Sequence, residues 1–291
     1  MDFIRLGDYN RMTVVREVDF GVYLDGGDEG DVLLPARYVP DGCKEGDELD
    51  VFVYLDNEER LVATTEEPLA KVGDFALLRV AWTNDYGAFL DWGLLKDLFV
   101  PFSEQEGKMV KGNSYLVYVT IDRKSYRIYA SARLDKFLSR TKPPYETDEE
   151  VDIIVWRRTD LGWKVIVNGN HSGLVFANEV FRDLKTGDRL KGYVKRVRTD
   201  GKIDIALQRY GVAGDDDSSM RLLSAIEAQR GFLPLNDNSS PDEIYSMLGM
   251  SKKAFKRAAG KLYKQRLIII DDDGLRLAAG RPDKQIKIKE R

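Results

Sequence analysis

Through the first two thirds of the chain, apolar and polar residues alternate in short runs. Val51, Val53 and Leu55, and likewise Tyr115, Val117 and Val119, put every second side chain on one face, the signature of half-buried strands. Beyond residue 213 the period lengthens. Leu222, Leu223, Ala225 and Ile226 in MRLLSAIEAQRG recur at helical spacing and stop at Gly231. Ser240-Pro241-Asp242-Glu243 is a helix start, with a serine cap, proline in the first turn and acids favoured by the dipole. Ser251 precedes KKAFKRAAGKLYKQ, in which Phe255, Ala258, Ala259 and Leu262 form an apolar stripe, and LIIIDDDGLRLA reads as a hairpin. Between the two regimes, residues 211–219 read as a turn-rich acidic linker.

The strand-rich part repeats one ruler three times. Gly21, Gly87 and Gly162 each follow a valine at seven residues' distance: Val14, Val80 and Val155. Thirteen residues after each glycine stands Leu34, Val100 or Val175, followed by Pro35, Pro101 or Phe176. Twenty-five residues after each comes a second glycine, Gly46, Gly112 or Gly187. Four offsets recurring in three places define a structural repeat. Each unit holds about five short strands, too few for a stable open sheet and suited to a closed barrel. A glycine inside the strand lets the chain bend as a small barrel demands. The expected architecture is therefore mainly β. It comprises three tandem five-stranded OB-fold barrels at 1–67, 68–146 and 147–213, an α/β winged helix-turn-helix at 214–280 and a basic tail at 281–291.

The spacing resembles that of the ribosomal S1 RNA-binding domain, an OB-fold subclass. The first copy offers Phe20-Gly21-Val22-Tyr23-Leu24 and the second Tyr86-Gly87-Ala88-Phe89-Leu90. The third offers Gly173-Leu174-Val175-Phe176 and Thr186-Gly187-Asp188. Three S1-like barrels ahead of a winged helix resemble the bacterial family of conserved virulence factor B. That resemblance implies an RNA-binding protein that regulates gene expression.

Composition narrows the chemistry. One histidine, His171, excludes a Cys/His zinc cluster, and one cysteine, Cys43, excludes an internal disulfide. No apolar run reaches the about 20 residues of a membrane span, and the N-terminus has no apolar signal core. A cytoplasmic protein is expected. The net charge of -4 conceals an asymmetry, because residues 1–70 hold 6 basic and 18 acidic side chains while the remainder is net basic. Local patches, not the mean, govern polyanion binding. The acid runs at 215–217 and 271–273 stand in a linker and a hairpin turn, and no phosphate-cradling glycine loop is present. No catalytic residue, metal site or cofactor is expected.

OB barrels hold single strands by stacking bases on aromatic rings while cations follow the phosphates. The S1 resemblance places such rings at Phe20 and Tyr23 in the first copy and at Tyr86 and Phe89 in the second. In the third, Leu161 and Val165 replace the two aromatics, Phe176 takes the histidine position of the pattern, and Trp163 adjoins the glycine. Each ring has core packing as its alternative role. The third copy carries a dense run of cations: Arg189, Lys191, Lys195, Arg196, Arg198 and Lys202. The third helix of the last unit adds Lys252, Lys253, Lys256, Arg257 and Lys261. Charge location thus points to single-stranded RNA on the third barrel and the winged helix, with the second barrel contributing and the acidic first barrel binding poorly. Two other readings stay open: a protein-interaction scaffold on the ribosome or transcription machinery, and a DNA-binding regulator acting through the winged helix.

Overall fold

The computed structural model describes residues 3–180, 183–207 and 214–278. Its first barrel is built from β1 (Asp8–Val18), β2 (Gly21–Leu24), β3 (Val32–Pro35), β4 (Glu48–Leu55) and β5 (Leu61–Thr64). The second follows with β6 (Phe75–Thr83), β7 (Gly87–Asp91), β8 (Leu98–Pro101), β9 (Ser114–Ile121) and β10 (Ile128–Ser131). The third has β11 (Glu150–Thr159), β12 (Gly162–Val167), β13 (His171–Phe176), β14 (Arg189–Val197) and β15 (Ile203–Ala206). In the first and third, hydrogen bonding closes the ring in the order β1-β2-β3-β5-β4 and its counterpart, through a parallel pairing of the third and fifth strands. The second shares the order, β10-β9-β6-β7-β8, but has no ladder between β8 and β10; its ring is nearly closed, by proximity of those strands.

The repeated ruler has a direct physical cause. A Cβ on Gly21, Gly87 or Gly162 would lie 2.1–2.2 Å from the carbonyl oxygen of Leu34, Val100 or Val175, thirteen residues on. No side chain fits there, because the backbone of the antiparallel partner strand fills the space. The second glycines, at φ +91°, +87° and +92°, turn into the fourth strand. Their N–H groups donate to the carbonyls of Val14, Val80 and Val155 at 2.8, 2.9 and 2.7 Å. Each valine is thereby tied to a glycine 32 positions later. Just past each valine the first strand shifts register, between Val14 and Arg16, Val80 and Trp82, and Val155 and Arg157. Such a bulge bends the long first strand so that it belongs to both halves of the barrel.

Adjacent barrels share apolar contacts. Phe52 and Tyr54 of the first barrel are buried with Trp92, Leu94 and Ala70 of the second, and the rings of Phe52 and Trp92 meet edge to face at 5.8 Å. Between the second and third, Phe75, Leu116, Leu134 and Leu138 bury against Ile154, Trp156 and Ile166.

The C-terminal unit comprises α1 (Gly214–Ala228), β16 (Phe232–Leu233), α2 (Pro241–Leu248), α3 (Lys252–Lys264), β17 (Ile268–Asp271) and β18 (Gly274–Leu277). The order of its sheet is β16-β18-β17, so the hairpin gains a short third strand that the sequence pattern does not announce. Ser240 and Glu243 form a reciprocal capping box, and α2 ends at Gly249 in the left-handed conformation. Ser251 caps α3 by accepting from the N–H of Ala254. The stripe Phe255, Ala258, Ala259 and Leu262 packs on Leu222, Ile226 and Ile244, as its spacing requires. The first helix begins at Gly214, inside the stretch expected to be linker; its apolar period starts only at Leu222, so the earlier turns leave no periodic trace. Residues 211–213 of that stretch, and the basic tail at 281–291, lie outside the described residues.

Candidate nucleic-acid interface

Equivalent positions on the three barrels carry different chemistry. Five residues before the repeat glycine and two after it, side chains pair across the first two strands: Arg16 with Tyr23, Trp82 with Phe89, Arg157 with Lys164. In the first barrel the Arg16 guanidinium lies 4.5 Å over the Tyr23 ring, and Phe20, 57% exposed, meets Tyr23 edge-on at 6.3 Å. Asp19, Asp25, Asp28, Glu29 and Asp31 surround this face, all exposed, and Asp31 pairs with Arg16 at 3.6 Å. Aromatic rings are present, but the local charge opposes a polyanion.

The second barrel builds an aromatic ladder. Trp82 on β6 and Phe89 on β7 stack at 3.7 Å with an interplanar angle of 4°. Phe89 in turn meets Phe99 on β8 at 5.0 Å. The Trp82 Nε1–H donates to Asp97 Oδ2 at 2.7 Å, which fixes the indole in its plane. Tyr86, 75% exposed, lies in the turn between β6 and β7, and its carbonyl accepts from the N–H of the exposed Phe102 at 3.3 Å. Phe89, singled out by the S1 spacing, is joined in the ladder by Trp82 and Phe99, which that spacing does not single out. The signal was available: Trp82 is five residues before its glycine, as Arg16 is, and Phe99 faces Phe89 across the strand pair.

The third barrel departs from the expectation in three respects. The position equivalent to Tyr23 and Phe89 is Lys164, two residues beyond the glycine; Val165, assigned there by sequence, is fully buried in the barrel. Trp163 also packs on the barrel interior, because strand alternation turns it to the same side as Val165. The outer face is not open. Arg157 and Lys164 lie 4.6 and 4.0 Å over the buried Trp156 ring, and both reach carboxylates of the second barrel. Arg157 binds Glu106 at 2.9 and 3.0 Å, and Lys164 binds Asp135 at 2.6 Å.

The cations of β14 and its surroundings are paired within the chain. Lys191 meets Asp152 at 2.9 Å and Glu150 at 3.6 Å, Lys195 meets Glu179, and Lys202 meets Asp200 at 3.0 Å. Arg189 donates to the Phe75 carbonyl across the seam with the second barrel. Arg196 and Arg198 converge on Asp204 at 2.7 and 2.6 Å. Burial pushes the Asp204 carboxyl up, but hydrogen bonds from Arg198 and Arg196 outweigh it and hold the group below the ordinary carboxylate range. Phe176 is half-buried, with Lys195 and Arg198 at 5.9 and 5.7 Å from its ring centre. It keeps the association of ring and cation that a stacked nucleotide uses.

On α3, Lys253, Lys256 and Arg257 are exposed and Lys252 and Lys261 half-buried. Lys256 pairs with Asp237 at 3.1 Å, while Arg257 and Lys261 also have partners within the chain. The acidic tip of the wing is partly neutralised from within, since Arg276 contacts Asp271 and Asp273. Among the described residues, no helix is long and apolar enough to cross a membrane.

Fold and surface together define a class: S1-type OB barrels in tandem, closed by a winged helix, in the architecture of nucleic-acid-binding proteins. Residues 6–66 match the S1 domain and residues 220–277 the CvfB-like winged helix domain. The chain is 27% identical over 273 residues to the uncharacterized protein YitL of Bacillus subtilis, covering 90% of each. It is 25% identical to conserved virulence factor B of Staphylococcus saprophyticus, covering 81% of this chain and 82% of that one. A crystal structure of a multidomain protein with nucleic acid binding domains from Streptococcus pneumoniae aligns over 94% of this chain and 98% of that one, with 27% identity and a TM-score of 0.42. The chain thus resembles the conserved virulence factor B proteins over about four fifths of its length.

Proposed function

We propose that this protein is a non-enzymatic, post-transcriptional regulator that binds single-stranded RNA, with the second barrel as its principal stacking platform. The observation that carries this reading is the ladder Trp82–Phe89–Phe99, in which Trp82 remains 42% exposed although one of its faces is covered. A stacked aromatic pair in water offers its free outer face to the next flat ring, and unpaired bases supply such rings. Tyr86 extends the platform by a second exposed ring. The basic α3 and the ring–cation site at Phe176 serve as secondary contacts for the phosphate chain. The domain division at 1–67, 68–146, 147–213 and 214–280 is part of the same proposal.

The test is titration of the full chain against a labelled single-stranded RNA at low salt, followed by anisotropy. Stacking is worth about 1–3 kcal/mol per base, so Trp82→Ala weakens binding by roughly 5- to 150-fold. An unchanged affinity in that variant, or no binding by the wild type, overturns the reading.

One observation favours a second reading. The exposed acids around Phe20 form a face that suits a basic protein partner, as on a ribosomal or transcriptional surface. Duplex DNA competing better than single-stranded RNA would instead shift the emphasis to the winged helix.

A further inference from the structure

Asp97 stands where a polyanion-binding surface least favours a carboxylate. It immediately precedes β8, half-buried, beside the one aromatic ladder found on the outer faces of the barrels among the described residues. Its Oδ2 accepts the Trp82 indole N–H at 2.7 Å, and no lysine or arginine pairs with it among the described residues. Its Oδ1 is left without a partner there. Holding the indole in place needs only a neutral acceptor, which an amide or a carbonyl supplies equally well. The negative charge calls for another explanation.

We propose that Asp97 reads the base stacked on Trp82, selecting cytosine and other bases with an exocyclic amine over uracil. This inference rests on the RNA-binding reading above. The indole N–H points at the carboxylate, so Asp97 lies beside the Trp82 rim rather than over its face. A base on the outer face of the indole projects its Watson–Crick edge past that rim, within reach of the second carboxylate oxygen. That oxygen only accepts. It matches the N4 amine of cytosine, as acidic side chains do when they read that base, and repels the O4 carbonyl that uracil presents at the same place. The ionised acceptor adds discrimination in both directions: a charge-assisted hydrogen bond with the amine, and an unpaired carbonyl facing a carboxylate with uracil.

The experiment compares labelled ten-residue oligomers of cytidine and of uridine, two pyrimidines that differ at this edge, against the full chain. The wild type binds the cytidine oligomer about tenfold more tightly, the ratio expected of one charge-assisted hydrogen bond. Asp97→Asn keeps an acceptor for the indole but turns an N–H₂ donor to the base, so the preference falls to parity or reverses. Removing a negative charge strengthens binding of both oligomers alike, and the ratio is unaffected by that gain. An independent arm leaves the protein unaltered: cytidine doubly methylated on N4 has lost its donor and binds no better than uridine. Equal wild-type affinity for the two oligomers overturns the proposal while leaving RNA binding intact, as does a preference that survives Asp97→Asn or N4 methylation. Failure to bind either oligomer at low salt removes the RNA-binding reading and this one with it.

Discussion

The guanidinium of Arg157, on the third barrel, holds both carboxylate oxygens of Glu106 on the second, at 2.9 and 3.0 Å. Arg157 occupies the position that Trp82 fills one barrel earlier and Arg16 one barrel before that. A position left exposed in the second barrel is a fastening in the third. Both partners are 42% exposed, so the ion pair itself contributes at most about 1 kcal/mol. The apolar part of the seam dominates. Glu106→Gln should therefore leave the urea midpoint nearly unchanged, whereas Trp156→Ala, 4% exposed in the wild type, should cost about 3–5 kcal/mol.

Gly187 limits how closely the same two barrels approach. A Cβ there would lie 2.7 Å from the Leu77 side chain of the second barrel, and its φ of +92° disfavours any other residue. Gly187→Ala should destabilise by about 1–3 kcal/mol, read as a lower thermal midpoint. The equivalent Gly112→Ala suffers the backbone strain but has only Arg79 nearby, at 3.9 Å. It should lose less.

His171 gives the third barrel a pH dependence. It is 4% exposed, with Nδ1 3.0 Å from the Tyr145 hydroxyl and Nε2 buried without a partner among the described residues. Burial pushes the imidazole down from its ordinary value, so the fold holds the neutral ring. Its stabilising contribution is therefore complete above the unfolded value of about 6.5 and is lost as the pH falls through that region toward the folded value. Thermal midpoints at pH 8 and pH 5.5 should differ more in the wild type than in His171→Gln.

Asp204 restrains two cations that could otherwise meet phosphates. Its side chain is 3% exposed, while Arg196 and Arg198 are 66% and 28% exposed. Asp204→Asn should weaken the third barrel by about 1–3 kcal/mol, since a charge-assisted pair becomes a neutral one. The same change should steepen the salt dependence of RNA binding by up to about one counterion for each arginine released. Chemical denaturation checks the first outcome, and titration at several salt concentrations checks the second.

The spacing of Val14, Gly21, Leu34 and Gly46, copied twice along the chain, was sufficient to read the repeated barrels. Each offset answers to a contact that tolerates no side chain, or to a turn with positive φ, so the constraint appears in the sequence itself. Phe255, Ala258, Ala259 and Leu262 disclosed the winged-helix core for a related reason: a helix buries one stripe, and the stripe has a period. Strand parity left the site less legible. Phe89 and Trp163 look equally aromatic beside their glycines, yet one joins the outer ladder and the other packs inward, because they stand two residues and one residue beyond the glycine.

Local order along this chain, its barrels, its capped helices and its candidate rings, follows from short-range constraints that any stretch of about 30 to 50 residues carries by itself. Which equivalent face stays open was decided only when the barrels met. Glu106 and Asp135 close over Arg157 and Lys164 from a neighbouring unit, and Asp204 draws in Arg196 and Arg198 across a strand pair. A cation's availability depends on the carboxylates that folding brings within 4 Å of it, and those distances exist only in three dimensions.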